Sequence, residues 1–481
     1  MSGFPDKFAE ELSQYLSADE LQAFFSYCQR PLKKSITINT HKISVEDFIA
    51  LTKERGRSLT PQPFQKNPIS FYIDRTDTTL ALWRTFLHQA WFFYIQELAA
   101  SIPATLLPLK AGDRILDIAA APGGKTSQIA CRLLQTDNPW LVVANDVSGP
   151  RLTTLAHNLN KGGCYNTALT KFNGFAFGKN IPEFFDHVLI DAPCSGEWTA
   201  FKSDDALTFR RKEEINKITW TQFQLLISAI KATKPWGTLI YSTCTVNPYE
   251  NEELLSRVLE FFKGAVVLEP VELENSNPGI RPPNSPHTPI DLHKVARFRP
   301  HIQKTGGFFV SKLKKLHAVE AEKREKTHKL LPQNQFKLDI SKQLQHRIST
   351  HLTGIYGIEI DPSRHFFLAT KETVYLTSPA FLEIQQHLQC EKVGIPVFKK
   401  DGERLRPTHH LGNMLGDTAT KHVVTLTDEQ IQEYSQGNSL PLADLQIPSW
   451  LTEAYIVIKR RHRGMSVGKM VDGELKNKFM K

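Results

Sequence analysis

The strongest constraint on the fold lies in the middle of the chain. Between residues 111 and 315, short apolar runs rich in β-branched residues alternate with longer amphipathic stretches. The runs are RILDIAA (114–120), WLVVANDV (140–147), TALTKFN (167–173), FDHVLIDA (185–192) and GTLIYSTC (237–244). Stretches 124–134, 150–160 and 213–234 between them carry helical periodicity. Strands that are apolar on both faces belong in a sheet covered on both sides, and parallel neighbours need a crossover. The pattern predicts a doubly wound parallel sheet, with GGFFVSKLKK (306–315) as a late closing strand. In the usual strand order 3-2-1-4-5, the fourth and fifth strands are neighbours, and their C-terminal ends face the ligand crevice.

The flanks differ from this core. Residues 1–105 are expected to form a separate small N-terminal α/β domain. Helical periodicity over 4–28 places Phe4, Phe8, Leu12, Leu16, Leu21, Phe24 and Phe25 near one face. SITIN (35–39) and SFYI (70–73) alternate like strands, Ser44 to Asp47 resembles a capping box, and an apolar helix is predicted around 85–101. The core is expected over 106–315 and a linker over 316–335, because HAVEAEKREKTHK (317–329) has charge and no apolar stripe. A smaller α/β or β-rich domain is expected over 336–481. A length of 481 residues accommodates two to four such units.

Composition excludes several classes. Six cysteines are too few for a disulfide scaffold, and no two form a CxxC pair, so no structural metal is expected. The stretch 86–109 is broken by His88, Gln89, Gln96, Glu97 and Pro103, too polar to cross a membrane. The start, MSGFPDKFAEEL, has no secretion pattern. A cytoplasmic monomer with reduced thiols is the expectation. Lys plus Arg number 59 against 50 Asp plus Glu, a net charge of +9 that favours a polyanionic partner.

The first core strand runs into Asp117-Ile-Ala-Ala-Ala-Pro-Gly-Gly-Lys-Thr126. A glycine-rich turn at a helix N-terminus brings backbone N–H groups close to a ligand. A phosphate-binding Walker loop needs a glycine five positions before Gly124, and position 119 is alanine; the GxGxxG dinucleotide fingerprint is absent as well. What remains is a looser turn, Ala119, Ala120, Ala121, Pro122, Gly123, Gly124 and Lys125, followed by Asp146 at the end of the second strand. A carboxylate there can accept hydrogen bonds from both hydroxyls of a ribose. That combination suits the sulfonium cofactor S-adenosylmethionine; the competing reading is a structural turn with a buried aspartate.

Cys194, in Asp191-Ala-Pro-Cys-Ser-Gly, follows the fourth strand, and Cys244, in Tyr241-Ser-Thr-Cys-Thr, ends the fifth. Neighbouring strands lie ~4.8 Å apart. The two thiols are therefore expected to meet beside the cofactor, whereas Cys28, Cys131, Cys164 and Cys390 read as small buried hydrophobes. A thiolate next to a methyl donor suits covalent catalysis on a pyrimidine. Carbon 5 of that ring is a poor nucleophile until a thiolate adds to carbon 6. Asp191 is placed to hydrogen-bond the base edge or polarise its N3–C4 side, and equally to cap the turn.

Together, DIAAAPGGKTSQIA (117–130), NDVSGPRL (145–152), DHVLIDAPCSGE (186–197) and GTLIYSTCTVNPYENE (237–252) resemble the RNA (cytosine-5) methyltransferases of the NOL1/NOP2/Sun family. The resemblance implies a Rossmann-like S-adenosylmethionine-dependent methyltransferase core, with Cys244 as nucleophile and Cys194 assisting release of the adduct. Enzymes that methylate DNA cytosine use the Pro-Cys thiol, which makes Cys194 the rival nucleophile. It also implies cofactor contacts from Ala119 to Lys125 and from Asp146, Asn173 and Asp191. Asn173 stands where the family commonly has aspartate, and its carbonyl can still accept from an adenine amino group. Segments 28–45 and 93–97 are similar to the flanks of bacterial members acting on 16S rRNA, and 396–412 and 475–479 to a PUA-like RNA-binding tail. Trp91, where a glycine is usual, and Phe201, in place of a basic residue, depart from that pattern and are expected to alter RNA contacts.

The implied partner is ribosomal RNA or the small ribosomal subunit. Arg30, Lys33 and Lys34, then Lys312, Lys314 and Lys315, then Lys459, Arg460, Arg461, His462 and Arg463, are candidate phosphate contacts. Each run by itself reads as a solvated face. The alternatives are the same reaction on tRNA, a catalytically idle RNA-binding assembly factor, and a small-molecule methyltransferase.

Overall fold

The computed structural model describes residues 9–10, 12–76, 80–196, 212–281, 285–319, 338–447 and 454–477. The N-terminal part is an antiparallel sheet in the order β2-β3-β1-β4, from β1 (Ser35–Ile38), β2 (Arg57–Pro61), β3 (Ser70–Arg75) and β4 (Phe93–Ile95). Helix α1 (Ala18–Cys28) starts at a capping box, Ser17 and Glu20, and buries Phe24, Phe25 and Cys28. Helix α2 (Val45–Lys53) is capped by Ser44, whose hydroxyl accepts from the Asp47 N–H.

The helix expected over 85–101 does not form. Phe86–Gln89 makes one turn, Trp91 takes a left-handed backbone with φ 58°, and β4 then pairs with β1. The apolar run serves a sheet: Phe93 is fully buried and meets Phe48 of α2 edge-on at 5.7 Å.

The central sheet has the order β10-β12-β9-β8-β5-β6-β7-β15. Its five parallel strands are β5 (Ile115–Asp117), β6 (Val142–Asn145), β7 (Thr167–Thr170), β8 (Phe185–Asp191) and β9 (Thr233–Thr243). In chain order they are arranged 3-2-1-4-5, as the alternation predicts. β12 (Phe308–Lys315) runs antiparallel to β9 and carries β10 (Val266–Glu269) and β11 (Ala296–Phe298). Helices α3 (Gly124–Leu134), α4 (Gly149–Gly162), α5 (Lys212–Ala232) and α6 (Glu252–Phe262) link the strands. At the far edge β15 (Lys392–Val393), from the C-terminal part, pairs with β7 and covers an edge that would otherwise be open.

The C-terminal part holds two sheets where the sequence predicts one unit. The first is β13-β14-β16-β17, from β13 (Phe366–Ala369), β14 (Thr373–Thr377), β16 (Ile395–Asp401) and β17 (Arg404–Pro407). The second, β18-β20-β21-β22-β19, is built from β18 (Val423–Thr425), β19 (Leu440–Pro441), β20 (Tyr455–Arg460), β21 (Arg463–Val471) and β22 (Glu474–Lys476). Ile456, Ile458, Met470 and Leu475 of this last sheet join Ile36, Phe48, Phe71 and Phe93 in one apolar core. The N-terminal part is therefore not buried on its own account. Arg55 reaches Asp428 at 2.5 Å across the same junction, and Arg460 of the C-terminal part holds that carboxylate from its own side at 2.5 Å. Most of the linker expected at 316–335 lies outside the described residues.

Candidate active site

The loop after β5 is shaped by two glycines. Gly123 has φ 108°, and a Cβ there would lie 2.7 Å from Leu155 Cδ1. A Cβ on Gly124 would lie 2.8 Å from Tyr94 Cε1, so the N-terminal part presses directly on this loop. Ala120 and Ala121 are buried, and the Ala121–Pro122 bond is cis. Asp117, just upstream, is buried and accepts from the Thr126 hydroxyl at 2.7 Å; burial pushes its carboxyl up to about 7. Sequence alone does not single out this residue, because an aspartate ending an apolar strand looks like an ordinary strand terminus.

Asp146 is 2 % exposed. Its Oδ1 accepts from the Ser148 N–H at 3.0 Å. Its Oδ2 is buried with no hydrogen bond, although the Arg151 guanidinium lies 3.3 Å away as an ion pair. Arg151 itself donates to the Ala121 carbonyl, which ties the ends of β5 and β6 together. Asn173 is exposed after β7, and its side-chain oxygen accepts from the Phe175 N–H at 3.1 Å.

Parallel pairing sets Asp191 of β8 beside Ser242 of β9. Asp191 accepts from the Ser242 hydroxyl at 2.8 Å and from Lys125 Nζ at 2.6 Å. Lys125, expected among the cofactor contacts, thus reaches across the crevice to the carboxylate of the neighbouring strand. Beyond the ladder, Cys194 and Cys244 bring their sulfur atoms to 3.1 Å, both partly exposed. The hydrogen bond with Cys244 raises the Cys194 thiol well above its ordinary range, and burial and the nearby Glu250 carboxylate add to this. Glu250 is fully buried and accepts from the Ser195 N–H and hydroxyl and from Gln222 Nε2. It lies within the stretch 237–252 that carries the family resemblance, but that stretch gives it no role, since a glutamate before a helix reads as solvated.

The other expectations divide. Cys28, Cys131 and Cys164 are buried, and burial pushes Cys28 up to about 12; Cys390 is half-buried. Arg30, Lys33 and Lys34 are exposed, Lys33 pairing with Asp74 at 2.8 Å. Lys315 is not a phosphate contact: it is fully buried and donates to Glu183 and to the Thr233 carbonyl. Lys312 pairs with Glu269 at 3.1 Å. In the C-terminal run Lys459 donates to two backbone carbonyls, Arg460 pairs with Asp428 and Arg463 with Asp417, which leaves Arg461 and His462 as its exposed members. Trp91 is 4 % exposed, so its departure alters packing rather than an RNA contact. Phe201 lies outside the described residues, as does Glu197 of the Asp191–Cys194 motif.

A parallel 3-2-1-4-5 sheet with a glycine-rich loop after its first strand and a buried acid ending its second defines a Rossmann-like methyltransferase. Residues 104–314 match the family model described as 16S rRNA methyltransferase RsmB/F, and residues 4–98 match the N-terminal domain of 16S rRNA methyltransferase RsmF. The ribosomal RNA small subunit methyltransferase F of Vibrio parahaemolyticus is 33% identical over 480 residues, 98% of this chain and 96% of that relative. The protein of the same name from Erwinia tasmaniensis is 32% identical, covering 99% and 96%. Among solved structures, a methyltransferase homolog protein from Pyrococcus horikoshii is similar, with TM-score 0.57, 29% identity, and 65% of this chain and 96% of that one covered. The chain belongs to the 16S rRNA methyltransferase RsmB/F family.

Proposed function

We propose that this protein transfers a methyl group from S-adenosylmethionine to carbon 5 of a cytosine in 16S rRNA of the small subunit, through a covalent Cys244–cytosine adduct. The observation that carries this reading is the pair of thiols at 3.1 Å, on the ends of adjacent parallel strands. The residues present fit the cofactor: the buried Asp146 Oδ2 has no hydrogen bond and can accept one from a ribose hydroxyl. Asp146 would hold the ribose, Ala119 to Lys125 the methionine portion, and Asn173 the adenine amino group. When bound, S-adenosylmethionine supplies an electrophilic methyl group.

The chain's own residues do the rest. Cys194 keeps its proton, since the hydrogen bond with Cys244 and burial raise it, and Cys244 takes the role of nucleophile. Its S–C6 bond to cytosine forms as the C5–C6 π electrons shift and make carbon 5 nucleophilic. Asp191, fixed by Ser242 and Lys125, orients the base edge. After methylation the carbon 5 proton passes to a solvent water, its C–H electrons restore the ring double bond as the S–C6 bond breaks, and Cys194 assists by giving its proton to the departing Cys244 sulfur. The target cytosine leaves its stack to reach this site. Regions 1–105 and 336–481, the latter PUA-like, flank the 106–315 core as RNA-binding parts joined through a 316–335 linker, with Arg30, Lys33 and Lys34 on phosphate. The protein acts as a cytoplasmic monomer.

Bisulfite mapping of rRNA and tRNA, with and without the protein, tests both reaction and target. Cys244→Ala should lower methyl transfer by about 10³-fold or more while S-adenosylmethionine still binds. Cys194→Ala should accumulate a covalent protein–RNA adduct on denaturing gels. Full activity in Cys244→Ala, or an adduct trapped by it in place of Cys194→Ala, would reverse the roles.

A further inference from the structure

The strand ladder that aligns β8 with β9 ends at Asp191 and Ser242, yet both sulfur atoms lie beyond it. Something else must hold two irregular turns together, and the residues after Cys244 supply it. Glu250 Oε1 accepts from the Ser195 hydroxyl at 2.5 Å, and Oε2 accepts from the Ser195 N–H at 3.0 Å and Gln222 Nε2 at 2.8 Å. Gln222 also donates to the Pro193 carbonyl at 2.9 Å, so the two side chains grip Cys194 from both neighbours. The Ser195 and Thr245 hydroxyls are 2.9 Å apart, which joins the turn of Cys194 to the turn of Cys244.

The same segment fixes the Cys244 side. Asn251 accepts from the Thr243 hydroxyl at 2.6 Å and donates to the Thr245 carbonyl at 3.1 Å. Glu252 takes both ends of the buried Arg297 guanidinium at 2.6 Å, and Arg297 donates to the Val246 carbonyl at 2.8 Å. Of these residues, Glu250 is the one whose carboxylate bonds reach the other cysteine's turn. A buried carboxylate is costly unless fully hydrogen-bonded, so its geometry is stiff.

We infer that Glu250 is the positioning residue of the two-thiol centre: it sets the spacing and relative orientation of Cys194 and Cys244 by tying their turns together. The inference rests on the two-thiol reading above. Glu250 is fully buried and acts through Ser195, Gln222 and, by way of Ser195, the Thr245 hydroxyl.

Glu250→Gln keeps the size but sets an N–H₂ against groups that already donate. The expected loss in kcat is about 100-fold, the scale of a misplacement near 1 Å, with S-adenosylmethionine affinity within about twofold. A second readout needs no turnover. Phenylarsine oxide bridges two thiols only when they are close, and its binding is taken as the increment over Cys194→Ala. That increment should fall about tenfold or more in Glu250→Gln, because each 1.4 kcal/mol of lost preorganisation is a factor of ten. Ser195→Ala, a milder cut in the same network, should lower both quantities about tenfold and serves alone if Glu250→Gln does not fold. Unchanged kcat and unchanged bridging in the folded variants overturn the inference. So does a loss of kcat that follows only the folded fraction while bridging stays intact. Cys244→Ala run alongside separates the two ideas: if it is active, the two-thiol reading falls; if it is dead while Glu250→Gln is fully active, only the role of Glu250 falls.

Discussion

Asp146 shows how much one residue discloses through its place in the chain. It ends the second strand, a position that follows from the spacing of apolar runs, and a carboxylate there has a known use toward ribose. The structure adds that one of its oxygens is taken by the Ser148 N–H and the other is buried without a hydrogen bond. Asp146→Asn should leave the Ser148 contact and the fold in place but weaken S-adenosylmethionine binding by about 10–100-fold, the worth of a hydrogen bond to a charged acceptor. Calorimetric titration of the cofactor checks this, and an unchanged Kd would remove Asp146 from the cofactor site. Cys194 and Cys244 are legible for the same reason, since strand order alone brings two strand ends together. Asp117, Glu250 and Glu252 are not. A carboxylate is assumed to face water unless its partners are known, and theirs come from Thr126, Ser195 and Arg297, 9, 55 and 45 residues away.

Elements are legible where one period dominates. The five parallel strands and α3 stand within a few residues of their expected places, because strands buried on both faces give continuous apolar runs. The stretch 85–101 misleads because a short apolar run does not separate strand from helix by periodicity. Trp91 sits near its centre in a left-handed conformation, at a cost of roughly 1–2 kcal/mol that glycine would avoid. This element docks on the core through Lys42, whose buried Nζ donates to the Ala90 carbonyl at 2.7 Å and to the Lys161 carbonyl of α4 at 2.9 Å. Burial lowers Lys42 to about 7, so above that pH it is a neutral amine that still donates both bonds. Lys42→Met fills the space and leaves two carbonyls without that donor. It should lower unfolding free energy by about 1–3 kcal/mol with an unchanged denaturant slope. A variant as stable as the parent would show that the contact contributes nothing net.

At the scale of the whole molecule, the surprise is that the two ends of the chain close on one core and then clasp the methyltransferase sheet. Those junctions hold histidines, His410 buried and His41, His365 and His409 half-buried. Burial lowers His41, His365 and His409 each to about 4, with nearby cations adding to the effect, and lowers His410 well below its ordinary range. His365 packs on Tyr165 of the central domain with ring centroids 5.4 Å apart, and the His409 and His410 rings lie 3.8 Å apart, tilted by 41°. Folded, these rings are neutral; unfolded, they take up a proton near pH 6.5. Their contribution to stability is therefore whole above about pH 6.5 and is lost as the pH falls from there toward 4. Asp117 and Glu97 run the other way: burial raises both, so each favours the folded state more as the pH falls toward its unfolded value. The histidines outnumber them, and the net slope between pH 6.5 and 4 should follow the histidines. The melting midpoint should fall by about 5 °C or more from pH 7.5 to pH 5. His409→Gln, which cannot be protonated, should make that fall shallower without the cofactor present. A midpoint flat across this interval, or a fall of the same size in His409→Gln, would mean that the clasp does not exclude protons from its rings.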